Sequence, residues 1–556
     1  MKSFLEKINF NFIVVHFMSL LASVLGVTAI IFVFDGRINS FLFVIEYFVS
    51  CLITYSLFKN KISRKDIIFN FIFNGLLFYL LCNISLLFYD FSWDGNVYHK
   101  QMIGLMKNGV NPLFNKNCGD IWSQHYANGS EVWGAVLYSF FGDIEVGKVI
   151  NLILSLCLFI YSCKTILKIS KSKLFSILFS FAISFNPILI NQFHSYYIDG
   201  IVSNSLFIFI LSIINFIIDG FSANDKVNIL IFVASSIVSI NSKFTALLIW
   251  GLFLAVLGCY VLFINLKNRK FDEVKKLILI AFCTGVFSVV VVGSSSYMKN
   301  LVEHHNPFYP LMGSGAVDIE TGNEPEKFKN FNHVQKWLYG TFSETYTWYD
   351  KDPKLKIPFT VSQSELYSIE FPDIRIGGLG VWYSGLLCIS LPVILIGIFM
   401  NIRKNKVLNI VCILLLCAVI LPIPILPIVW QARYYPQLYL IPFIASLYAF
   451  SSDKRVFKLY GYIIVICACV NGLFMVPQAK DKYNRSKDVN NQLTELAEKS
   501  LTDKIIISQD NYTFYGTYYN YIDKNIKYEY SKTRLKDGVS FYYGAMYKIV
   551  DSEGEK

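Results

Sequence analysis

The chain is short of charged residues, and this shortage excludes an ordinary soluble domain. Only 16% of its 556 residues are charged and 54% are hydrophobic, whereas about a quarter of a soluble domain is charged. The composition therefore indicates an integral membrane protein. The net charge of +11 does not indicate nucleic-acid binding, because the basic residues lie in short runs between apolar stretches.

The chain also lacks the cysteine spacings of a zinc site, since none of its 12 cysteines stands in a CxxC or CxxxxH pattern. Most of them lie inside apolar stretches, where free thiols pack as small apolar residues. Cys118 alone lies in a loop, so we expect no disulfide framework. No cleavable signal is evident, because the first apolar stretch, about residues 10–34, is too long and lacks a small-residue cleavage site.

Apolar runs long enough to cross a bilayer as helices recur along the chain. They predict an all-α polytopic membrane protein of about 13 transmembrane helices. The approximate cores are residues 10–33, 40–58, 67–89, 145–165, 174–190, 201–218, 227–241, 244–265, 277–295, 379–400, 407–427, 435–451 and 457–475.

Runs of Lys and Arg fall on alternate connections between these spans, and such runs favour the cytoplasmic side. The N-terminus is therefore predicted to be cytoplasmic, and the membrane a bacterial inner or plasma membrane. The opposite, extracytoplasmic face then receives loops 90–131 and 296–378 and the turns 191–200 and 430–435. The basic runs lie within residues 59–65, 164–173, 267–276, 403–406 and 454–458.

Two domains are predicted, a transmembrane domain over residues 1–478 and a small extracytoplasmic α/β domain over residues 479–556. In the second, residues 490–500 have helical spacing and Lys504–Ser508 is typical of a buried strand. Tyrosines follow that could stack on sugar rings, but packing against the membrane domain or the interface is the better interpretation.

The stretch Asp90–Pro112 places acidic, aromatic and basic groups directly after an apolar span, where they are costly without a partner or a role. On a helix, Asp94 and Tyr98 share one face, with His99 and Lys100 beside them. Asp94 can then act as a general base toward an acceptor hydroxyl. His99 and Lys100 could bind a phosphate leaving group, and Tyr98 a substrate. The alternative is an ordinary loop in which Asp94 caps a helix.

A second carboxylate, Asp199, ends the predicted turn on the same face, after His194 and Tyr197. Asp94 and Asp199 could share a substrate or hold a divalent cation between them. The alternative for Asp199 is a helix N-cap. His194 and Tyr197 are candidate substrate-binding residues. No metal site is predicted at the adjacent pair His304-His305, because the two rings would point apart on a helix.

Lys243 and Arg433 also lie between apolar spans on the predicted outer face, against the cytoplasmic preference of basic residues. A polar cavity with an anionic partner explains them, and a lipid-linked phosphate fits because Arg presents a fork of donors. Snorkelling to the interface is the alternative. Glu131, Lys299 and Arg375 are further substrate-binding candidates. Favourable placement at a helix N-terminus explains Glu131 equally well.

Five short motifs follow one another along the chain: SWDGNVYH, FHSYYIDG, NSKFTAL, YMKNLVEHHNPFYP and WQARYYPQL. Together they resemble the GT-C superfamily of polyprenyl-phosphate-sugar-dependent glycosyltransferases. The resemblance extends to protein O-mannosyltransferases and aminoarabinose transferases and covers about residues 60–450. It implies Asp94 as the base, Asp199 as the later acid, and Lys243 and Arg433 as the basic residues near the lipid phosphate.

The first loop departs from that pattern, because it reads Asp94-Gly95 where the mannosyl- and aminoarabinosyl-transferases have an Asp-Glu pair. Their substrates and any metal site are therefore not carried over. No cofactor is implied with certainty, and a divalent cation stays open.

The function predicted is transfer of a sugar, with inversion, from a polyprenyl phosphate to a cell-envelope glycan or lipid acceptor on the extracytoplasmic face. One alternative is a flippase or transporter for a lipid-linked saccharide, which predicts charged residues at mid-span. Span interiors almost free of charge favour the enzyme. The other alternative is a surface-polysaccharide polymerase or ligase.

Overall fold

The computed structural model describes residues 7–115, 119–319, 321–347, 352–401, 406–509, 514–541 and 545–550. Cys118 and two members of one predicted cytoplasmic run, Arg403 and Lys404, lie outside these residues. The described chain is a helical bundle with a small sheet near its C-terminus.

The α-helices of the described residues include those over the predicted apolar runs and shorter or polar helices in the loops and near the C-terminus. They are α1 (Phe10–Val33), α2 (Ser40–Phe58), α3 (Arg64–Leu86), α4 (Lys100–Lys107), α5 (Ile121–His125), α6 (Gly129–Phe141), α7 (Val149–Ser170), α8 (Lys173–Ser184), α9 (Pro187–Gln192), α10 (Asp199–Ile218), α11 (Lys226–Ser242), α12 (Phe244–Phe253), α13 (Cys259–Lys267), α14 (Phe271–Val286), α15 (Lys299–His304), α16 (His333–Thr341), α17 (Gln363–Ser368), α18 (Tyr383–Asn401), α19 (Lys406–Ile420), α20 (Leu440–Ser451), α21 (Arg455–Leu473), α22 (Val476–Lys499) and α23 (Gly516–Asp523).

Within the described residues, eight helical segments are long and apolar enough to cross a membrane. They comprise α1, α2, α3, α7, α10, α12 with α13, α14 with the turn that follows it, and α21 with its continuation. Helices also cover the other predicted cores, but α8, α11, α18 and α19 are shorter apolar helices. The protein is thus a helical, membrane-embedded protein, and the number of 13 spans stays a prediction.

Helix α10 lies in the middle of the bundle and packs against α7 and α11. Its side chains are nearly all buried, whereas α2, α3 and α14 expose apolar faces of the kind that contact lipid. We call the end of the bundle that carries residues 90–131 and 296–378 the loop end. The N-terminus of α10 lies at this end, so the residues that precede it face the large loops.

Two ionisable side chains are buried within the first three helices. Glu46 accepts a hydrogen bond from Thr28 at 2.7 Å, and His16 Nδ1 lies 3.2 Å from Asn74 Nδ2. These bonds join α1 to α2 and α3. Span interiors almost free of charge can still hold such groups, because a polar partner on a neighbouring helix lets them be buried.

The sheet near the C-terminus has the strand order β2-β1-β4-β3, with β1 parallel to β2 and antiparallel to β4. The strands are β1 (Lys504–Gln509), β2 (Glu529–Ser531), β3 (Val539–Ser540) and β4 (Ala545–Val550). Its core joins Leu493, Ile505 and Tyr521 to Tyr89, which directly precedes the first large loop. The predicted domain boundary at residue 479 falls inside the unbroken helix α22.

This C-terminal unit is fitted closely to the first large loop. A Cβ at Gly104 of α4 would collide with the ring of Tyr519, so only glycine permits this contact. Across the same interface, Asp523 accepts hydrogen bonds from the Tyr138 hydroxyl and from the Ile144 backbone N–H, the latter at 2.8 Å. The tyrosines of α23 therefore pack against protein.

We expect acidification from pH 8 to pH 5 to strengthen this interface. Burial raises the pKa of Asp523 to about 7 from its ordinary value of 3.8. Between these two values the folded protein binds more protons than the unfolded chain, so the free energy of unfolding falls as pH rises. Thermal unfolding of the purified protein should show this dependence, and Asp523→Asn should reduce it.

A matched control is Asp537→Asn, which changes an exposed carboxylate of the same unit. That variant should keep the pH dependence of the wild type. An equal pH dependence in Asp523→Asn and the wild type would contradict the assignment.

Candidate active site

Asp94 stands at the start of a π-turn that covers Gly95–His99. This turn is wider than the α-helix that the sequence predicts. Burial and the charge of Asp94 raise the pKa of Tyr98, and the same charge acts on His99, so both expected neighbours lie beside Asp94. π-turns inside helical segments are frequent at functional sites.

Asp90 holds this turn in place. Its carboxylate accepts a hydrogen bond from the Ser92 backbone N–H at 2.8 Å and another from the Tyr196 backbone N–H at 3.1 Å. A Cβ at Gly95 would collide with the same carboxylate. Asp90 is therefore a positioning residue that ties the first loop to the turn before α10.

The carboxylate of Asp94 has no hydrogen-bond or ion-pair partner among the described residues, and it does not cap the turn. Burial raises its pKa above the ordinary value of 3.8, and the charge of Arg433 opposes that rise. The charges of Asp373, His99 and Asp199 also act on it. A partly buried carboxylate with free oxygens, among charged neighbours, is available to a substrate.

Both carboxylate oxygens of Asp199, in contrast, have partners. One oxygen lies 2.6 Å from Lys243 Nζ, and the other lies 3.2 Å from Arg433 Nη1 and 3.1 Å from Gln192 Nε2. The N-cap position of α10 belongs to Ile198, so the capping alternative for Asp199 does not apply. With both oxygens held, Asp199 is a poor base and a poor ligand for a shared cation, but it fixes two cations beside Asp94.

The guanidinium of Arg433 is the centre of this group. Its Nη2 lies 2.8 Å from Asp373 Oδ1 and donates to the Tyr434 hydroxyl at 3.0 Å. The ring of Tyr434 packs under both Arg433 Cζ, at 4.5 Å, and Lys243 Nζ, at 3.8 Å, while Tyr197 faces Arg433 at 5.2 Å. The Nε of Arg433 is buried and has no hydrogen-bond partner within the described chain.

His99 forms a dyad with Glu131. Its Nδ1 lies 2.5 Å from Glu131 Oε1, and the other Glu131 oxygen accepts from the Ser130 hydroxyl at 2.7 Å. Burial lowers the pKa of His99, but the charge and hydrogen bond of Glu131 outweigh it, and the pKa lies above its ordinary 6.5. His99 Nε2 is buried without a hydrogen-bond partner in the described part of the chain.

No known protein family matches this chain, and no curated protein is found to be similar to it. The geometry alone therefore carries the functional interpretation. Its central observation is one free carboxylate, Asp94, beside two buried donors that lack acceptors, His99 Nε2 and Arg433 Nε.

Lys100 lies in a different cluster from these groups. Its Nζ is 2.5 Å from Glu145 Oε1 and 3.2 Å from Asn520 Oδ1, and Lys148 holds the other Glu145 oxygen at 2.6 Å. This buried cluster joins the first loop, the start of α7 and the C-terminal unit. We therefore leave Lys100 out of the predicted phosphate site.

Lys299 and His194 are also placed apart from the Asp199 ion pairs. Lys299 Nζ donates to the Pro112 carbonyl at 2.9 Å, which ties the two large loops together. His194 is buried beside the ring of Phe88, and neither of its ring nitrogens has a described hydrogen-bond partner. Burial, together with the charge of Lys482, holds the pKa of His194 well below its ordinary value, so the ring is neutral.

The remaining predicted residues border the site. Arg375 Nη2 lies 2.9 Å from Asp373 Oδ2 and its Nη1 donates to Asn323 at 2.8 Å, so Arg375 and Arg433 share one carboxylate. The ring of Tyr98 lies 4.2 Å from that of His99. Both side chains are thus next to residues of the site.

Asp373, Gln192 and Tyr434 were not predicted from the sequence as residues of the site. Asp373 stands two residues before Arg375, and this alternation of opposite charges at the end of the long loop was an available signal. Gln192 and Tyr434 carried none, because their roles depend on which helix ends meet. Asp199 could only be recognised as an ion-pair partner once three distant segments were in place.

One group of potential metal ligands lies elsewhere at the loop end. Ligand atoms of His125, Glu303 and His304 lie within 4.8 Å of one another. The sequence considered only the adjacent pair His304-His305, and the structure brings His304 instead to a histidine of the first loop. None of the three takes part in the Asp199 ion pairs.

If Asp94 acts as the predicted general base, the reaction rate is expected to rise with pH. Only the ionised carboxylate can accept a proton, and its raised pKa moves the acid limb above the range of about pH 4 that is usual for Asp. The pH profile of kcat/KM measures this limb. A profile already flat at about pH 4 would contradict the role given to Asp94.

Proposed function

We propose that the protein is an integral-membrane glycosyltransferase of the GT-C type, which moves a sugar from a polyprenyl phosphate to a glycan or lipid acceptor. The observation that carries the proposal is the free carboxylate of Asp94 beside buried cations. The proposed location of this site is the extracytoplasmic face, because the basic runs lie on the connections at the other end of the bundle.

In this reaction the acceptor hydroxyl gives its proton to Asp94 as its oxygen attacks the anomeric carbon. The bond from that carbon to the phosphate oxygen breaks, and its electron pair stays on the phosphate. A single displacement of this kind inverts the configuration at the anomeric carbon. Positioned charges that favour the leaving phosphate more than the bound donor would lower the barrier.

His99 and Arg433 are the groups that would receive the phosphate. Each has a buried nitrogen without an acceptor, and such a group costs about 1–3 kcal/mol unless a partner takes the hydrogen bond. A phosphate oxygen accepts from both. Lys243 is held by Asp199, so we assign it to the support of Arg433 and to the local positive charge.

Two features favour an enzyme over a transporter for lipid-linked saccharides. The charged groups around Asp94 gather at one end of the bundle. The ionisable groups inside the first three helices, Glu46 and His16, are bonded to Thr28 and Asn74 and so serve helix packing. A polymerase or ligase that uses diphosphate-linked donors would share this site, and only the donor distinguishes it.

The purified protein, incubated with a panel of defined polyprenyl-phosphate sugars and envelope glycans extracted from its source cells, is expected to release polyprenyl phosphate. Mass spectrometry measures the released lipid and the mass increase of the acceptor. Polyprenyl-diphosphate-linked oligosaccharides form the second arm. If only the diphosphate-linked donors are turned over, the proposed polyprenyl-phosphate donor is wrong and the protein is a polymerase or ligase.

A further inference from the structure

A cavity of about 540 Å³ lies at the loop end, between the first loop, the long loop and the C-terminal unit. Binding sites for small molecules enclose roughly 300–1,000 Å³. Phe91 comes from the first loop, Phe371 from the long loop, and Phe541 follows β3. Helix α22 supplies the polar wall, so three separate parts of the chain meet to form the cavity.

Two walls of this cavity belong to the segments that carry the active site. Phe91 stands three residues before Asp94, and Phe371 two residues before Asp373, the partner of Arg433. The Phe371 backbone carbonyl also accepts a hydrogen bond from Asn191 at 2.7 Å. A chain lying in the cavity would therefore approach the same loops that position the proposed base.

Lys482 is the unusual side chain of the polar wall. Only 4% of it is exposed, and its ammonium lies 5.7 Å from the centre of the Phe91 ring. No described carboxylate is within ion-pair distance, and no described group accepts a hydrogen bond from the ammonium. The side chain is nearly all buried and its ammonium forms no described ion pair, so the position favours an anionic or strongly accepting ligand.

Arg485, one turn further along α22, gives the contrast. Its guanidinium is half exposed and lies 2.8 Å from Asp481 and 3.4 Å from Glu370. Asp488 and Gln492 complete this wall with acceptor and donor groups. Of these two basic side chains, Lys482 is therefore the one available to bind a ligand.

The cavity thus combines aromatic rings, an amide, a carboxylate and an ammonium that forms no described ion pair. Aromatic rings pack against the apolar faces of sugar rings, and the polar side chains match hydroxyl groups. We propose that this cavity binds the acceptor as a saccharide chain that carries a carboxylate or phosphate group, with that group at Lys482. The role of this saccharide as the acceptor rests on the proposed glycosyl transfer. Its binding in the cavity does not require transfer.

Equilibrium binding to the purified full-length protein tests the inference. The anionic probes are tetragalacturonate and a hyaluronan tetrasaccharide, and the neutral probe is maltotetraose, each measured by isothermal titration calorimetry. We expect at least one anionic probe to bind tenfold or more tightly than maltotetraose. Lys482→Met keeps the length of the side chain and should weaken that binding about tenfold.

Lys487→Met is the matched control, because Lys487 is an exposed lysine of the same helix. It should bind as the wild type does. Added salt should weaken anionic binding by the wild type and leave maltotetraose unaffected, a readout that stays valid if Lys482→Met fails to fold. The inference is overturned if no anionic probe binds, if neutral and anionic probes bind equally, or if the salt has no effect.

Asp94→Asn separates this inference from the proposed function. If the variant binds the anionic probe normally but transfers no sugar, both stand. If the wild type binds the probe but transfers no sugar, the saccharide site is supported and the proposed glycosyltransferase function is contradicted. If transfer depends on Asp94 but no probe binds, only the proposed acceptor cavity is contradicted.

Discussion

Asp94→Asn is expected to reduce sugar transfer by about 10²- to 10⁴-fold, the usual contribution of a positioned general base. The amide has nearly the shape of the carboxylate but cannot accept the proton of the acceptor hydroxyl. Since the Asp94 carboxylate makes no described hydrogen bond or ion pair, the variant should fold and melt like the wild type. Initial rates with defined donors and a thermal unfolding curve check both expectations.

Asp120→Asn provides the control within the same loop. Asp120 caps α5 by accepting from the Ser123 N–H at 2.8 Å, and asparagine caps a helix equally well. Its transfer rate should therefore match the wild type. Full activity in a folded Asp94→Asn protein would end the assignment of Asp94 as the base.

Arg433→Lys is expected to raise the KM for the donor by about 10- to 100-fold, since hydrogen bonds to charged groups contribute about 1.5–3 kcal/mol. Lysine keeps the positive charge but cannot contact Asp199, Asp373 and a phosphate at once. The buried Nε–H, which has no described acceptor in the absence of donor, disappears in the variant. Donor titrations at saturating acceptor measure the change.

Arg37→Lys is the control for this substitution, because Arg37 is exposed and lies outside the ion pairs around Asp199. It should leave the donor KM unchanged. If Arg433→Lys has a wild-type KM for the donor, the guanidinium does not hold the phosphate, and the site needs another account.

The sequence was sufficient for the helices, and it singled out Asp94 as a candidate. Long apolar runs predict helices because burial of their polar backbone in lipid leaves few other options. Asp94 could be recognised because a carboxylate at the end of such a run is costly. The ion-pair partners of Asp199 could not be predicted. Lys243 and Arg433 come from distant segments, and their contact depends on how the whole bundle packs.

Local geometry limited the rest. Nothing in Asp94-Gly95 predicts the π-turn, so the sequence indicated an ordinary α-helical start for this loop. Lys100 looked equivalent to His99, yet it turns toward Glu145 and the C-terminal unit. The contact of that unit with Gly104 through Tyr519 could not be predicted, because it joins residues more than four hundred positions apart.

Reconstitution into liposomes with an isotope-labelled polyprenyl-phosphate sugar tests the central claim most directly. The account predicts label in a new glycosidic bond on the acceptor, one polyprenyl phosphate released per sugar, and loss of both in Asp94→Asn. Movement of the intact labelled lipid between leaflets, with no new glycosidic bond and no released polyprenyl phosphate, would contradict it and identify a transporter.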